Sequence, residues 1–237
     1  MATGYVVSDL HLFSIRSRAP KYRRAIEAAA LEADFFVLNG DIFDFQWCRQ
    51  PQQHAAAEAA RDWVSHLVQS HPRCQFHLTL GNHDCVEDYV EVLRELSGTF
   101  DNVSWHEHHV RLGNCLFLHG DVVQRPMDDA AFARYRQRWR QKPRRGGLLR
   151  CGYRLVNAAR IDQAFLRLYF TRSRVARRLR HYLESLEPQV REGLEDVYVG
   201  HTHVPFTDHS SFGLRFHNTG AAVRGARFNM REVRLTV

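Results

Sequence analysis

The chain has few cysteines and no long apolar run. Its 237 residues include five cysteines, none of them in a Cys-x-x-Cys pair. An odd number of scattered cysteines argues against a disulfide framework and a thiolate zinc site. No stretch approaches the roughly 20 apolar residues that a membrane-spanning helix needs, and no charged leader precedes the first strand-like run. These absences predict a cytoplasmic protein, or one peripheral to the inner face of a membrane.

Acidic residues are scarce in one part of the chain. The whole sequence contains 33 Lys and Arg against 26 Asp and Glu, a net charge of +7. Between Arg125 and Arg191 there are 18 Lys and Arg against 5 Asp and Glu, so the remaining residues are net acidic. The basic character therefore belongs to one segment, and its partners should be sought among phosphates, nucleic acids and anionic membrane surfaces.

Strand-like and helical patterns alternate through the first half of the chain. Short runs rich in Val, Leu, Phe and Tyr predict strands at 5–8, 35–39, 76–80 and 115–118. Helical spacing of apolar residues predicts helices over 20–33, 52–70 and 86–96. Extended segments at 197–199, 214–216 and 227–237 predict a second, partly antiparallel sheet. We therefore expect an α/β fold in one domain spanning 1–237, with a helical insertion at about 125–190.

Five short polar motifs follow predicted strands. In chain order they are Ser8-Asp9-Leu10-His11, Gly40-Asp41-Ile42-Phe43-Asp44, Gly81-Asn82-His83-Asp84, His119-Gly120-Asp121 and Gly200-His201-Thr202-His203. Open α/β sheets place their ligand sites at the carboxyl ends of strands, so these side chains can converge on one site. Together they offer carboxylate, amide and imidazole groups, which are ligands for divalent cations.

Each motif alone is weaker evidence than the set. Asp9 and His11 alternate along a strand end and can face one ion, yet this pair also occurs at ordinary strand ends. Asp41 could be shared by two cations or could cap a helix, whereas Asp44 is better placed to support a ligand. Five such motifs in a fixed order, each after a strand, predict a metal centre.

The third motif supplies groups with different chemistry. The amide oxygen of Asn82 can bind a metal, and His83 can reach a reacting phosphate. The Asp84 carboxylate can fix the tautomer and the orientation of a neighbouring imidazole. An Asx turn followed by a helix cap is the plain alternative for this stretch.

Over most of the chain these residues resemble the calcineurin-like metallophosphoesterases. The resemblance implies a four-layer αββα sandwich and two divalent metal ions, Mn²⁺ first and Fe or Zn²⁺ as alternatives. It implies that one ion is held by Asp9, His11, Asp41 and His203, and the other by Asp41, Asn82, His119 and His201. It also implies that His83, oriented by Asp84, stabilises the transition state or protonates the leaving oxygen.

Within that superfamily, Ser-Asp-Leu-His-Leu, Gly-Asp-Ile-Phe-Asp and the basic helical insertion resemble the UDP-2,3-diacylglucosamine pyrophosphatases of lipid A synthesis. Those enzymes typically have arginine in the third motif, where this chain has His83. The resemblance implies a phosphorylated, amphiphilic small-molecule substrate and peripheral membrane contact through the insertion. We infer no obligate protein partner.

The insertion combines apolar stripes, suited to acyl chains, with arginines, suited to phosphates. The stripes consist of Phe132, Tyr135 and Trp139, followed by Val175, Leu179, Tyr182, Leu183 and Leu186. The candidate substrate contacts are Arg125, Arg134, Arg138, Arg154 and Arg160.

Other functions are compatible with the same motifs. A soluble phosphodiesterase or phosphatase for nucleotides or small phosphates would use the same metal centre. The arginine-rich helices could instead bind nucleic acid, but the chain lacks glycine-aromatic single-strand motifs, which makes this partner less favoured. A non-catalytic scaffold is disfavoured because no ligand position has been lost.

Overall fold

The computed structural model describes residues 1–48, 52–141 and 166–236. It contains two five-stranded sheets with helices against them. The strands are β1 Ala2–Val7, β2 Phe35–Asn39, β3 Gln75–Thr79, β4 Val103–His106, β5 His109–Leu112, β6 Cys115–Leu118, β7 Asp196–Val199, β8 Phe206–Ser211, β9 Leu214–Asn218 and β10 Arg231–Leu235. The helices are α1 Arg23–Glu32, α2 Gln53–Ser70, α3 Glu87–Thr99, α4 Asp129–Arg140, α5 Arg172–Ser185 and α6 Pro188–Arg191.

The first sheet has the strand order β10-β1-β2-β3-β4. Strands β1 to β4 pair in parallel, and β10 pairs with β1 in antiparallel fashion. Helices α1, α2 and α3 connect these parallel strands, and their buried residues share one apolar cluster with Phe36 and Leu38 of β2. This layer follows from the βαβα order in the sequence, because a parallel connection needs a crossover.

The second sheet has the order β5-β6-β7-β9-β8. Strand β7 lies parallel to both neighbours, β6 and β9, while the two outer pairs are antiparallel. Helices α4 and α5 cover it: Phe132, Val175 and Leu179 share an apolar cluster with Leu116 and Phe216.

The two sheets pack against each other through alternate residues of their strands. In β2, Phe36 and Leu38 face the helices, whereas Phe35 and Val37 share a cluster with Phe117 of the second sheet. Such alternation is expected of a strand that is buried on both faces. The layers are therefore helix, sheet, sheet and helix, and the predicted αββα sandwich is confirmed.

The apolar stripe of the basic segment is not an open surface. Val175, Leu179 and Tyr182 are each 0% exposed, because α5 packs on the second sheet. In the described residues this helix is thus an outer layer of the sandwich. The expectation that its stripe faces acyl chains is wrong, since burial in the core uses the same apolar face.

Residues 142–165, which include the predicted contacts Arg154 and Arg160, lie outside the described residues. The four described cysteines are buried. Across the described ranges, no helix has the length and apolar character needed to cross a membrane.

Candidate metal centre

All five polar motifs begin where a strand ends. Three follow β1, β2 and β3 of the first sheet, and two follow β6 and β7 of the second. The motifs after the two sheets meet: the Asp9 carboxylate contacts His203, and the Asp41 carboxylate contacts His119. Both sheets therefore contribute side chains to one buried cluster.

The backbone of these motifs is unusual. Asp9, His11 and Asp41 have φ values of 53°, 45° and 51°, and His201 and His203 have φ values of 62° and 57°. Left-handed backbone at residues other than glycine costs about 1–3 kcal/mol each and clusters at functional sites. The turns after the strands therefore place five predicted ligand residues in strained conformations.

Each of the two carboxylates has one oxygen occupied by the backbone. Asp9 Oδ2 accepts a hydrogen bond from His201 N at 2.9 Å and another from the hydroxyl of Ser8. Asp41 Oδ1 accepts one from His83 N at 2.7 Å. The other oxygens face imidazoles: Asp9 Oδ1 lies 3.2 Å from His203 Nε2, and Asp41 Oδ2 lies 3.2 Å from His119 Nε2. The carboxylates are thus held by one oxygen and free to bind through the other.

Acceptors behind the imidazoles orient two of the histidines. His119 Nδ1 lies 3.3 Å from the carbonyl oxygen of Asn39, which leaves Nε2 for the cluster. His11 Nδ1 lies 3.6 Å from Asp44 Oδ2, and its Nε2 lies 3.8 Å from Asp41 Oδ2. Partners of this kind fix the tautomer of a ligating histidine and are a usual part of metal sites.

The donor set fits divalent cations. Three groups have ligand atoms within 4.8 Å of one another: Asp9, His11 and His203; His11, Asp41 and His83; and Asp9, Asp41 and His119. Asp9 Oδ1, Asn82 Oδ1 and His119 Nε2 are buried and have no hydrogen-bond partner among the described residues. An unsatisfied buried polar atom costs about 1–3 kcal/mol, and a bound cation would remove that cost.

Two motif glycines make room for the carboxylates. A Cβ atom at Gly200 would lie 2.1 Å from Asp9 Oδ2, and one at Gly81 would lie 2.1 Å from Asp41 Oδ1. Only glycine allows the backbone to approach the carboxylates so closely. The glycines of the third and fifth motifs are therefore required by the packing of the site.

The buried carboxylates and imidazoles of this cluster shift each other's pKa values. Burial disfavours a charged imidazole, yet the carboxylates of Asp41 and Asp9 raise the pKa of His119 to about 9. Burial likewise opposes ionisation of Asp41, but the neighbouring imidazoles His119 and His83 hold its pKa well below the usual range. Carboxylates that recruit protons onto buried imidazoles mark a site where cation binding would release those protons.

His83 contacts a different carboxylate from the one that we predicted. Its Nδ1 lies 3.1 Å from Asp44 Oδ1. Asp84 instead accepts hydrogen bonds from the backbone of Ile42 at 2.8 Å and of Gly81 at 2.6 Å, so it joins the second and third motifs. The proposed role of Asp84 in orienting His83 is therefore corrected, and Asp44 takes that position. The motif pattern could not separate these two aspartates, because both follow a strand of the same sheet.

His201 has its own contact, outside the three ligand groups. Its ring centroid lies 5.3 Å from that of His119, and its Nε2 lies 3.1 Å from Gln124 Oε1. Gln124 ends a short 3₁₀ turn, Asp121–Gln124, that follows the fourth motif. Its carbonyl oxygen accepts hydrogen bonds from Tyr169 and Arg178, each at 3.1 Å. No sequence signal identifies Gln124, because its partners are distant in the chain.

An arginine of α4 reaches the site, but it is not one that we predicted. Arg136 is 2% exposed and binds both oxygens of Asp121, at 2.6 and 2.8 Å. It also donates to the carbonyl oxygens of Leu80 at 2.6 Å and Gly81 at 3.1 Å. The predicted substrate contacts of the described segment, Arg125, Arg134 and Arg138, are exposed. Arg136 therefore links the third and fourth motifs, while its neighbours on the helix face solvent.

Two aromatic side chains from the basic segment flank the cluster. The ring of Trp139 lies 5.7 Å from that of His83, and the ring of Phe170 lies 6.0 Å from that of His201. The segment thus supplies walls to the site.

Comparisons with known proteins bear on the family and the fold of this chain. A family model described as calcineurin-like phosphoesterase matches residues 5–205. A dimetal phosphatase from Danio rerio is 12% identical, with a TM-score of 0.50, over 99% of this chain and 92% of that chain. The phosphopantetheinyl hydrolase PptH from Mycobacterium tuberculosis is 15% identical, with a TM-score of 0.48, over 98% and 95%. No curated protein sequence matches this chain. The likeness to the Danio rerio phosphatase supports the four-layer fold described above.

Proposed function

Because the chain belongs to the calcineurin-like phosphoesterase family and is a metal-dependent phosphoric ester hydrolase, we propose that its motif cluster is a two-metal centre. One ion would be held by Asp9, His11, Asp41 and His203, and the other by Asp41, Asn82, His119 and His201. When bound, two divalent ions polarise a phosphoryl group and stabilise the charge that develops during in-line displacement.

The position of Asp41 carries this proposal. Its Oδ2 lies 3.2 Å from His119 Nε2 and 3.8 Å from His11 Nε2, so it stands between a histidine of each proposed ligand set. Its other oxygen is held by the backbone of His83. A carboxylate that is anchored in this way can bridge two cations. Oxygen and nitrogen donors without thiolate favour Mn²⁺, with Fe or Zn²⁺ as the alternatives.

The role of His83 follows from its hydrogen bond and its exposure. Asp44 accepts from Nδ1 and so sets the orientation of the ring, and 18% of the side chain is exposed. The remaining nitrogen can hold a proton and donate it to the leaving oxygen, as a general acid does. The ring of Trp139 lies beside the His83 ring and forms one wall of the site.

For the substrate we infer a pyrophosphate or phosphodiester with an amphiphilic group, of the UDP-diacylglucosamine type. This inference is supported by the residue sequence of the first two motifs and by the many arginines of the basic segment. Three of these arginines, Arg125, Arg134 and Arg138, are exposed. The buried stripe of α5 gives no support, because it belongs to the core. An acyl site in this enzyme must therefore use other surfaces.

A soluble phosphodiesterase or phosphatase for nucleotides is the second candidate function. The observation in its favour is the aromatic wall at the site, where Trp139 lies 5.7 Å from His83. An aromatic face beside a phosphate site suits the stacking of a nucleobase.

The test is a Mn²⁺-dependent assay that compares UDP-diacylglucosamine, a cyclic nucleotide and bis-p-nitrophenyl phosphate. Release of UMP from the first alone supports the amphiphilic substrate, and preference for the cyclic nucleotide supports the second candidate. The Asp41→Asn variant should be inactive on every substrate, with Asp62→Asn on the exposed face of α2 as the matched control. A folded protein that hydrolyses none of them with Mn²⁺, Fe²⁺ or Zn²⁺ would contradict the proposed function.

A further inference from the structure

A cavity lies between α5, α6 and the hairpin of β8 and β9. It has a volume of about 300 Å³ and is lined by three leucines, Phe212, two arginines and Glu184. This volume lies at the lower end of the range of small-molecule sites. None of the lining residues belongs to the proposed metal centre, so the cavity is not part of the phosphoesterase site.

Phe212 is an unexpected residue at the edge of this cavity. It forms, with Gly213, the two-residue turn between paired residues Ser211 and Leu214. The φ values of Phe212 and Gly213 are 55° and 76°, as in a type I′ turn. Such turns favour Asn-Gly, because a bulky side chain is strained at positive φ. Phe212 is also 49% exposed, so burial in the core does not offset the strain at this position.

The charged residues of the lining are two arginines and one glutamate. The guanidinium carbon of Arg180 lies 4.5 Å from the centroid of the Phe212 ring. The acidic residue of the lining, Glu184, is already engaged, because its Oε1 accepts from Arg180 Nε at 2.7 Å. Arg191 adds a second guanidinium at the end of α6. The lining therefore has a net positive charge of one, which complements an anion.

The segment that carries Arg191 is held in place by another arginine. Arg111 of β5 donates hydrogen bonds to the carbonyl oxygens of Gln189 and Glu192, on either side of Arg191. This anchoring fixes the backbone beside the cavity. The cationic rim is thus built on a restrained turn.

We propose that this cavity binds a soluble anion with a short apolar body, such as a medium-chain carboxylate or alkyl phosphate. The apolar body packs against Phe212, Leu183 and Leu214, and the anionic head pairs with Arg191 at the rim. Burial of the chain supplies affinity, and the guanidinium selects for the charge.

The experiment measures binding of decanoate, below its micellar concentration, by isothermal titration calorimetry. Phe212→Asn installs the residue that the turn favours, so the thermal midpoint should be kept or raised while the affinity falls at least about tenfold. Arg191→Gln should weaken decanoate about fivefold or more, and neutral 1-decanol should bind the wild type more weakly than decanoate. Leu31→Asn, on an exposed apolar residue of α1, is the control and should leave binding unchanged.

Other results would overturn the proposal. These are the absence of saturable decanoate binding, an affinity that Phe212→Asn and Arg191→Gln leave unchanged, or equal binding of 1-decanol. A separate arm uses vesicles of phosphatidylcholine with phosphatidylglycerol. Binding to these vesicles without binding of monomeric decanoate would replace the soluble ligand by a membrane surface. These readouts do not depend on hydrolysis, so they are independent of the proposed function.

Discussion

At the scale of the single residue, His83 is held by Asp44 and remains partly open to solvent. Its Nδ1 lies 3.1 Å from Asp44 Oδ1, and 18% of its side chain is exposed. We expect His83→Ala to slow turnover by roughly 10² to 10⁴, as for loss of a general acid, with both metals retained. The measurements are kcat and metal content per chain. His54→Ala, an exposed histidine of α2, is the control, and an unchanged kcat in His83→Ala would remove this residue from the mechanism.

Gln124 contacts His201, one of the proposed metal ligands. Its Oε1 lies 3.1 Å from His201 Nε2, and an N–H donated from Nε2 to this oxygen would leave Nδ1 for the proposed metal. We expect Gln124→Met to weaken binding of Mn²⁺ by about 10 to 100-fold, whereas Gln124→Glu keeps an acceptor oxygen and most of the affinity. The affinity for Mn²⁺ is measured by competition with a chelating dye, in the absence of substrate. Exposed Gln137→Met is the control, and equal losses in Met and Glu variants would show that Gln124 only fills space.

At the scale of the element, Arg136 connects α4 to two of the motifs. It forms a two-point ion pair with Asp121 and donates to the carbonyl oxygens of Leu80 and Gly81, all within the core. Arg136→Met leaves the Asp121 carboxylate buried without its cation, so we expect a loss of about 3–5 kcal/mol in the free energy of unfolding. Urea unfolding measures the loss.

Two further variants test this assignment. Arg136→Met combined with Asp121→Leu removes both charges and should recover a large part of the lost stability. Arg134→Met, on the exposed side of the same helix, should change the free energy of unfolding by less than about 0.5 kcal/mol. A loss in Arg134→Met as large as that in Arg136→Met would show that α4 itself, not the ion pair, is responsible.

Strands β7 and β9 are joined by a titratable ion pair. Burial disfavours the charged Asp196 carboxyl, but hydrogen bonds from His217 and Arg215 lower its pKa to about 2. This pKa lies below the value of about 3.8 for an unperturbed carboxyl, so the pair stabilises the fold above pH 4 and is lost as pH falls towards 2.

The Asp196→Asn variant tests that pH dependence. At pH 7 we expect it to lower the free energy of unfolding by about 1 kcal/mol, since the pair is partly open to solvent. At pH 2.5 the difference from wild type should shrink. Urea unfolding at both pH values measures it, and a difference that grows on acidification would contradict the assigned sign. Asp101→Asn, in the exposed turn before β4, is the control.

The elements themselves were predictable where apolar residues are dense. The three predicted helices overlap α1, α2 and α3, and the predicted strands overlap β1, β2, β3 and β6. Strands β4, β5 and β8 were missed. Two have only four residues, all three lie at sheet edges, and β8 is mostly polar, so none shows the apolar run of a central strand. Edge strands depend on the partner strand for their pairing, which local sequence does not reveal.

At the scale of the whole molecule, the proposed ligands come from both sheets. Asp9, Asp41 and Asn82 follow strands of the first sheet, and the histidines of the fourth and fifth motifs follow strands of the second. Metal binding should therefore stabilise the sandwich as a unit. At free Mn²⁺ about 100 times its dissociation constant, we expect the free energy of unfolding to rise by about 3 kcal/mol, and EDTA to reverse the gain.

The Asp41→Asn variant separates this effect from general ionic stabilisation. This variant lacks the carboxylate that stands between the two ligand sets, so Mn²⁺ should raise its free energy of unfolding much less than that of the wild type. Asp62→Asn should show the full increase with Mn²⁺. Thermal unfolding with and without Mn²⁺ gives the comparison. An equal Mn²⁺ gain in Asp41→Asn would show that the ion binds elsewhere.

The sequence by itself determined an α/β fold with a second sheet, the order of the five motifs and the chemistry of their donors, because apolar periodicity and short-range spacing are local properties. The αββα layering was implied by the family resemblance. Only the tertiary structure decided that Asp44, not Asp84, lies against His83, and that Gln124 and Arg136 reach the site. It also decided that the apolar stripe of α5 belongs to the core. These outcomes depend on contacts between segments that are distant in the chain, and on which face of each helix the second sheet covers.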